Sequence, residues 1–388
     1  MKKARKFWPF IFFSGIILFA TRKFLFKDGY ILYGEYFSTT NYFFYLKDFL
    51  KAWSDNTSLG HSNIGFPTTY GSNPVFFINS PGFVISWLTL MSMLQLVFGQ
   101  LTSKIYFLIA LFLPFWGMYF FSKYWFKYPR AIAFLSGLIY LTSAQIVDRI
   151  YAGHIHYVFG YGILPFLLLF ILKSSEEKNT KLQRFYLLTS GLTASFLLWY
   201  MPHLFTFIVI MLFFYLLLFI VDASIHKKKS FFLTITVCFF LALLLNIHAW
   251  LPAVFFPENY PFLKNLTYSF QSVYYSSSRV NLKDILNLGS GFQEKIPLSD
   301  NLTNLINLRL IFPILSLLGL ILCKEKRKSL FAFFLILSGL ILSLGTNSPL
   351  GGIFAFIYKN TLLFSLFREI SKFSVCMPLG YPFYFLYF

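Results

Sequence analysis

The sequence predicts an all-α, polytopic integral membrane protein, and three observations carry that prediction. Of the 388 residues, 57% are hydrophobic and 22% aromatic, while only 12% are charged, about half the charged share of a soluble domain. The apolar residues gather into runs, many close to the ~18–20 residues that cross hydrocarbon. The basic excess behind a formal charge of +19 sits largely in short clusters between those runs. They are MKKARK at the start, Lys173 to Arg184, Lys227 to Lys229 and Lys324 to Lys328. Such clusters mark cytoplasmic loops. Topology therefore accounts for the charge, and nucleic acid is not an expected partner.

In chain order, apolar runs occupy 7–22, 75–99, 105–122, 131–147, 157–172, 185–200, 203–221, 230–256, 309–323, 329–345 and 374–388. They predict about 10–11 helices in one transmembrane domain covering 1–388. The first run follows a basic stretch but is succeeded by Phe24-Leu25-Phe26-Lys27 rather than a small-residue cleavage site. It reads as a retained helix with a cytoplasmic N-terminus, in a multi-pass protein of the plasma membrane. Two long segments, 23–74 and 257–308, fall outside, the second rich in Tyr, Ser and Asn. The last run is still apolar at Phe388, which leads us to expect a chain truncated at its C-terminus.

With Lys173–Arg184, Lys227–Lys229 and Lys324–Lys328 inside, every run from 157 onward has a fixed direction. Upstream the count fails. An inside N-terminus puts 23–74 outside, and three crossings at 75–99, 105–122 and 131–147 then give the wrong parity. One piece within 42–147 does not cross. A re-entrant or interfacial segment satisfies this, since irregular backbone is tolerated where it lines a cavity.

Chemistry is sought first among the acids, because only 14 residues are acidic. Asp28, Glu35, Asp48 and Asp55 share the first outer segment. A carboxylate at a low-dielectric boundary tends towards a raised pKa, which suits a general base near neutral pH. Glu35, in Leu-Tyr-Gly-Glu-Tyr, is the leading candidate; its alternative is an interfacial anchor between tyrosines. Stretch 42–53 has apolar residues at helical spacing and reads as an amphipathic surface helix, which leaves Asp48 on a solvated face. Asp55 follows that helix and is the second candidate base.

Asp148 and Arg149 close the 131–147 run and lead into Gly153-His154-Ile155-His156. Ionisable residues at a membrane edge are candidates for substrate binding. For His154 and His156, two apart and without a third ligand, structural hydrogen bonding is the competing reading. Arg368 and Lys372 are four apart, so a helix would put both on one face as a seat for a phosphate headgroup; general attraction to anionic lipid is the alternative. The three cysteines show no C-x-x-C spacing, and no metal site is read from them. Phosphate loops, H-E-x-x-H and G-x-S-x-G are absent from the sequence.

Several short motifs occur in a characteristic order: Gly34-Glu35 after the first helix, Gly153-His154-x-x-Tyr157 before Leu164-Pro165, Trp250-Leu-Pro, Leu344-Gly-Thr-Asn-Ser-Pro-Leu-Gly, and Phe367-Arg-x-x-x-Lys-Phe. Together they resemble the YfhO-like and arabinofuranosyltransferase-like membrane proteins of the GT-C glycosyltransferase superfamily. The resemblance implies a GT-C-like fold and transfer of a sugar from a polyprenyl-phosphate donor to a glycan, lipid or protein acceptor at the outer face. It also implies that the first-loop carboxylate is the base. Many members carry Asp or a paired acidic motif there, whereas Gly34-Glu35 stands alone, so the cofactor is unknown and a divalent metal stays open. The competing functions are a lipid or polysaccharide transporter and a non-catalytic scaffold of an envelope-assembly complex. A transporter needs charge along a path through the helices, and most of the charge here lies at helix ends.

If Glu35 is the base, Glu35→Gln keeps its shape but cannot accept a proton. Donor binding is then expected to persist while transfer to the acceptor stops. Turnover comparable to wild type would transfer the assignment to Asp55.

Overall fold

The computed structural model describes residues 4–27, 90–151, 154–200, 204, 207–213, 215–216, 225–247, 277, 282, 326–360 and 370–387. Among the described residues the chain is helical and contains no strand. The helices with both ends described begin with α1 (Ala4–Leu25), α2 (Leu101–Tyr124), α3 (Arg130–Leu141), α4 (Ala144–Tyr151) and α5 (Ile155–Glu176). They are followed by α6 (Thr180–Tyr200), α7 (Ile225–Leu245), α8 (Lys326–Leu344), α9 (Gly351–Asn360) and α10 (Cys376–Gly380). Three are long and apolar enough to cross a membrane among the described residues: Leu101–Tyr124, Tyr157–Glu176 and Lys328–Asn347.

Contacts fix the relative directions of the helices. α1 runs antiparallel to α2, with Phe13 stacked on Phe115 at 3.5 Å and Phe10 on Trp116 at 5.6 Å. At the far end of α1, Lys104 Nζ donates to the carbonyls of Leu25 at 3.0 Å and Lys27 at 2.6 Å. Those carbonyls lie at or just past the end of α1, where a cation is favoured by the helix dipole. α2 and α5 are parallel: Tyr106 packs on Phe159, and Phe120 on Phe166. α6 returns antiparallel to α5 through Phe170–Tyr186 and Phe159–Phe196. α7 then lies parallel to α6, joined by Gln183–Ser230 at 2.7 Å, Ser190–Cys238 at 3.0 Å and Ser195–Asn246 at 3.1 Å.

Consequently the ends of α2 and α5 and the starts of α1, α3, α6, α7 and α8 share one end of the bundle. Lys328 lies over the Trp125 ring there at 5.9 Å, and Phe331 packs on the same ring. The basic clusters of α6, α7 and α8 belong to this end. Residues 27 and 101 both lie at the opposite end, as the Lys104 contacts show. Residues 28–89, on which the parity question largely turns, lie outside the described residues.

Two runs read as single helices are broken. The 131–147 run divides at Thr142–Ser143 into α3 and α4. Thr142 Oγ1 donates to the Leu138 carbonyl at 2.8 Å, and the Ser143 carbonyl accepts from the N–H groups of Ile146 and Val147, both at 3.0 Å. α3 alone has 12 residues, about 18 Å at 1.5 Å per residue. The final run, 374–388, is likewise not one helix. A 3-10 helix over Ile370–Val375, the short α10 and a 3-10 helix over Tyr381–Tyr387 replace it. Pro378 and Pro382 each remove a donor. From Phe373 to Tyr384 every side chain is buried. This segment runs against α8, with Tyr384 Oη donating to the Ser329 carbonyl at 2.7 Å and Tyr128 Oη donating to the Phe383 carbonyl.

The tightest approach is between α2 and α5. A Cβ on Gly162 would stand 2.6 Å from Leu113 Cβ and from the Pro114 nitrogen, and one on Gly117 would stand 2.6 Å from the Gly162 carbonyl oxygen. Gly162→Ala is therefore expected to force α2 and α5 apart, at a cost of about 1–3 kcal/mol. Gly15→Ala meets nothing within 4 Å, so it should be neutral or slightly stabilising through helix propensity. Thermal unfolding of the two purified variants checks this; equal midpoints would refute the close-packing account.

Candidate functional site

At the end of the bundle opposite the basic clusters, α4 and the start of α5 form a buried polar centre. α4 reads Ala-Gln-Ile-Val-Asp-Arg-Ile-Tyr, and its hydrophobic and polar residues segregate strongly. Gln145 and Arg149 are four apart, hence on one face, and each is only 1% exposed. Asp148 sits beside that face and is half-buried.

His154 is tied to Arg149 twice. Its backbone N–H donates to the Arg149 carbonyl at 2.8 Å, and its Nδ1 lies 3.0 Å from Arg149 Nη1. Arginine has only donors, so Nδ1 is the acceptor and the ring proton belongs on Nε2. The His154 carbonyl in turn accepts from the Tyr157 N–H at 2.9 Å, opening α5. Tyr157 then places its ring 5.0 Å from the guanidinium carbon, a cation–π contact. Both contacts orient the guanidinium.

One turn deeper, the centre joins a second layer. Gln145 Nε2 donates to Tyr161 Oη at 2.9 Å, and Gln145 Oε1 accepts from Ser374 Oγ at 3.1 Å. Tyr140 Oη donates to the Tyr161 carbonyl at 2.9 Å, which holds α3 against α5. The Gln145 amide thus bridges α5 and the 3-10 helix at Ile370–Val375. Phe373 anchors that helix from another side by packing on Phe207 at 4.9 Å.

Of the residues singled out from sequence, Arg149 and His154 come together, Asp148 precedes Arg149 on α4 and is half-buried, and the backbone of Lys372 lies two residues from Ser374. The Lys372 side chain, and Glu35, Asp55 and Arg368 entirely, lie outside the described residues. Sequence reasoning missed Gln145, Tyr161 and Ser374. The available signals were the i, i+4 spacing of Gln145 with Arg149 and of Tyr157 with Tyr161. Ser374 carried none, since a serine between Phe373 and Val375 reads as an ordinary member of an apolar run.

At the same end, the turn after α8 is opened by Gly345, whose φ of +54° suits glycine at a helix C-terminus. Asn347 Nδ2 donates to the Ser277 carbonyl at 2.6 Å, and the Thr346 N–H donates to Ser277 Oγ at 3.3 Å. The 257–308 segment is therefore fastened, at Ser277, to the Gly-Thr-Asn-Ser turn. Among the described residues no group of three or more His, Cys, Asp or Glu side chains is placed to hold a metal ion. Comparison with models of protein families, with curated proteins and with solved structures finds no match to this chain.

Proposed function

We propose that the chain is a polytopic protein of the plasma membrane that binds a polyprenyl-phosphate sugar at the outer face and transfers the sugar to a glycan, lipid or protein acceptor, in the manner of GT-C glycosyltransferases. The observation that carries this reading is the convergence of the Arg149–His154–Tyr157 centre with the segment bearing Lys372. It lies at the end of the bundle away from the cytoplasmic-type basic clusters. Two stretches far apart in sequence, each carrying a cation, meet where an anionic headgroup on a membrane lipid would arrive.

The lipid setting is supported by what faces outward. Phe7, Phe10, Ile11, Phe12 and Phe19 of α1 are exposed, as are Phe185, Leu188 and Leu192 of α6 and Phe232, Leu233 and Phe240 of α7. Apolar patches of this extent are foreign to soluble monomers, while hydroxyl and amide groups point inward between helices as they do in membrane bundles.

In the proposed reaction the bond between sugar C1 and the donor phosphate breaks, and the phosphate leaves with the electron pair. The acceptor hydroxyl oxygen bonds to C1 from the opposite side and gives its proton to a carboxylate, Glu35 or Asp55. Arg149, Arg368 and Lys372 balance the charge gathering on the departing phosphate. His154 contributes by holding Arg149 in place, and Asp148, half-buried beside it, contributes to binding the substrate.

Topology is tested first. Cysteines placed at the exposed positions Asn179 and Asn360 should behave oppositely towards an impermeant thiol reagent applied outside intact cells. Asn360→Cys should react and Asn179→Cys should not; labelling at Asn179 would reverse the orientation and move the site to the cytoplasm. Donor binding is tested with a polyprenyl-phosphate hexose and purified protein in nanodiscs of neutral phosphatidylcholine. Loss of a charge-assisted contact costs roughly 1.5–3 kcal/mol, so Arg149→Ala and the double variant Arg368→Ala/Lys372→Ala should each weaken binding about ten- to a hundredfold. Unchanged affinity in folded protein would remove the donor site.

A further inference from the structure

We propose that Gln145 is a positioning residue that sets the spacing between the two cationic segments of the donor site, an inference that rests on the functional reading above. Four features of the structure lead to it. α4 has eight residues and is set off from α3 by the break at Thr142–Ser143. Its direction therefore does not follow from α3 but from what its own side chains hold. Gln145 and Arg149 share one face a single turn apart, so any roll or tilt of α4 that moves one moves the other. Gln145 reaches α5 and the 370–375 helix at once, through Tyr161 at 2.9 Å and Ser374 at 3.1 Å. Ser374, finally, is two residues from Lys372, on a 3-10 segment that cannot rely on α-helical hydrogen bonding for its shape.

An amide suits this task because one planar group carries both a donor and an acceptor. Nε2 holds the α5 side and Oε1 holds the 370–375 side. Leucine has nearly the same size and offers neither. A carboxylate would lose the donor and stand one turn from Arg149, where it would compete with an incoming phosphate. A purely structural role predicts something different: the amide would add a little stability, as polar contacts between buried helices do, and leave ligand affinity alone.

Affinity for a polyprenyl monophosphate, measured on the full chain in nanodiscs of neutral phosphatidylcholine, separates the two. The variants are Gln145→Leu, Ser374→Ala, Ser374→Thr, the double variant Gln145→Leu/Ser374→Ala, and Arg149→Ala as the control for the site itself. If Gln145 positions the segments, Gln145→Leu and Ser374→Ala each weaken binding roughly three- to tenfold. The double variant is then no weaker than Gln145→Leu, because both changes open the same link. Ser374→Thr retains the hydroxyl and retains affinity. Should Gln145→Leu fail to fold, Ser374→Ala and Tyr161→Phe break the link from its two other sides and are expected to show the same loss. Affinity unchanged in the Gln145 and Ser374 variants, with Arg149→Ala still weakening binding, overturns the positioning role and leaves the donor site standing. Losses that simply add in the double variant overturn it too. Full affinity in Arg149→Ala removes the donor site, and the positioning role with it.

Discussion

The architecture depends on the close approach of α2 and α5 at Gly117 and Gly162. Two backbones touch there with no side chain between them, and a methyl group on either glycine would stand 2.6 Å from the other helix. Because α2 and α5 are parallel, the chain must cross back between them, and α3 with α4 make that return. Parallel packing also puts the starts of α2 and α5 at the same end. That single consequence brings Lys104, the end of α1 and His154 to one end and leaves the basic clusters at the other. Gly117 and Gly162 do nothing at the polar centre themselves, yet its position follows from their contact.

The second constraint is that the final described segment is irregular and buried together. From Ile370 to Tyr387 the backbone alternates between 3-10 and α geometry, while its side chains from Phe373 to Tyr384 are shut away from solvent. A buried carbonyl without a partner is costly, and more so if the surroundings are lipid. Tyrosine hydroxyls meet that demand: Tyr128 reaches the Phe383 carbonyl, and Tyr384 satisfies the Ser329 carbonyl on α8. Small residues complete the fit, since Gly339 lies against Met377 and Gly380 against the Ala332 carbonyl. The irregularity gives the 370–375 helix freedom to meet α4 at an angle that a continuous helix, bound to α8 along its length, could not reach.

The sequence made the apolar helices legible and their interruptions much less so. Periodicity and hydropathy identified α1, α2, α5, α6 and α8 within a few residues, because a long apolar run reports burial directly. The division at Thr142–Ser143 escaped because threonine and serine are tolerated inside apolar helices. Only their hydrogen bonds to Leu138, Ile146 and Val147 show which way they act. Pro378 and Pro382 were an unused signal against one continuous helix in the last run, but Pro114 and Pro165 lie inside unbroken helices, so proline alone could not decide. Arg149 and His154 were visible as ionisable residues at a helix end. Their mutual contact was not, since it depends on a turn whose geometry the residue types do not dictate. The link from Gln145 to Ser374 spans 229 positions, and no local pattern encodes a partner that far away.

Charge behaves in two distinct ways at the two ends, and the contrast bears on how such a sequence should be read. Lys178, Lys181 and Arg184 are exposed, so water solvates them and each interacts weakly with anything beyond about a Debye length of ~8–10 Å. Such residues orient a chain in a membrane by number. Arg149 is 1% exposed and has exchanged much of its hydration for an imidazole nitrogen and an aromatic face. Desolvating a cation costs several kcal/mol, and a fold retains that cost only where contacts offset it. In a low-dielectric setting any charged group near Arg149 interacts with it more strongly than it would with a solvated lysine. The formal total of +19 therefore describes mostly the solvated end. At the other end the contrast is carried by a buried guanidinium, Arg149, and by the segments that hold it still.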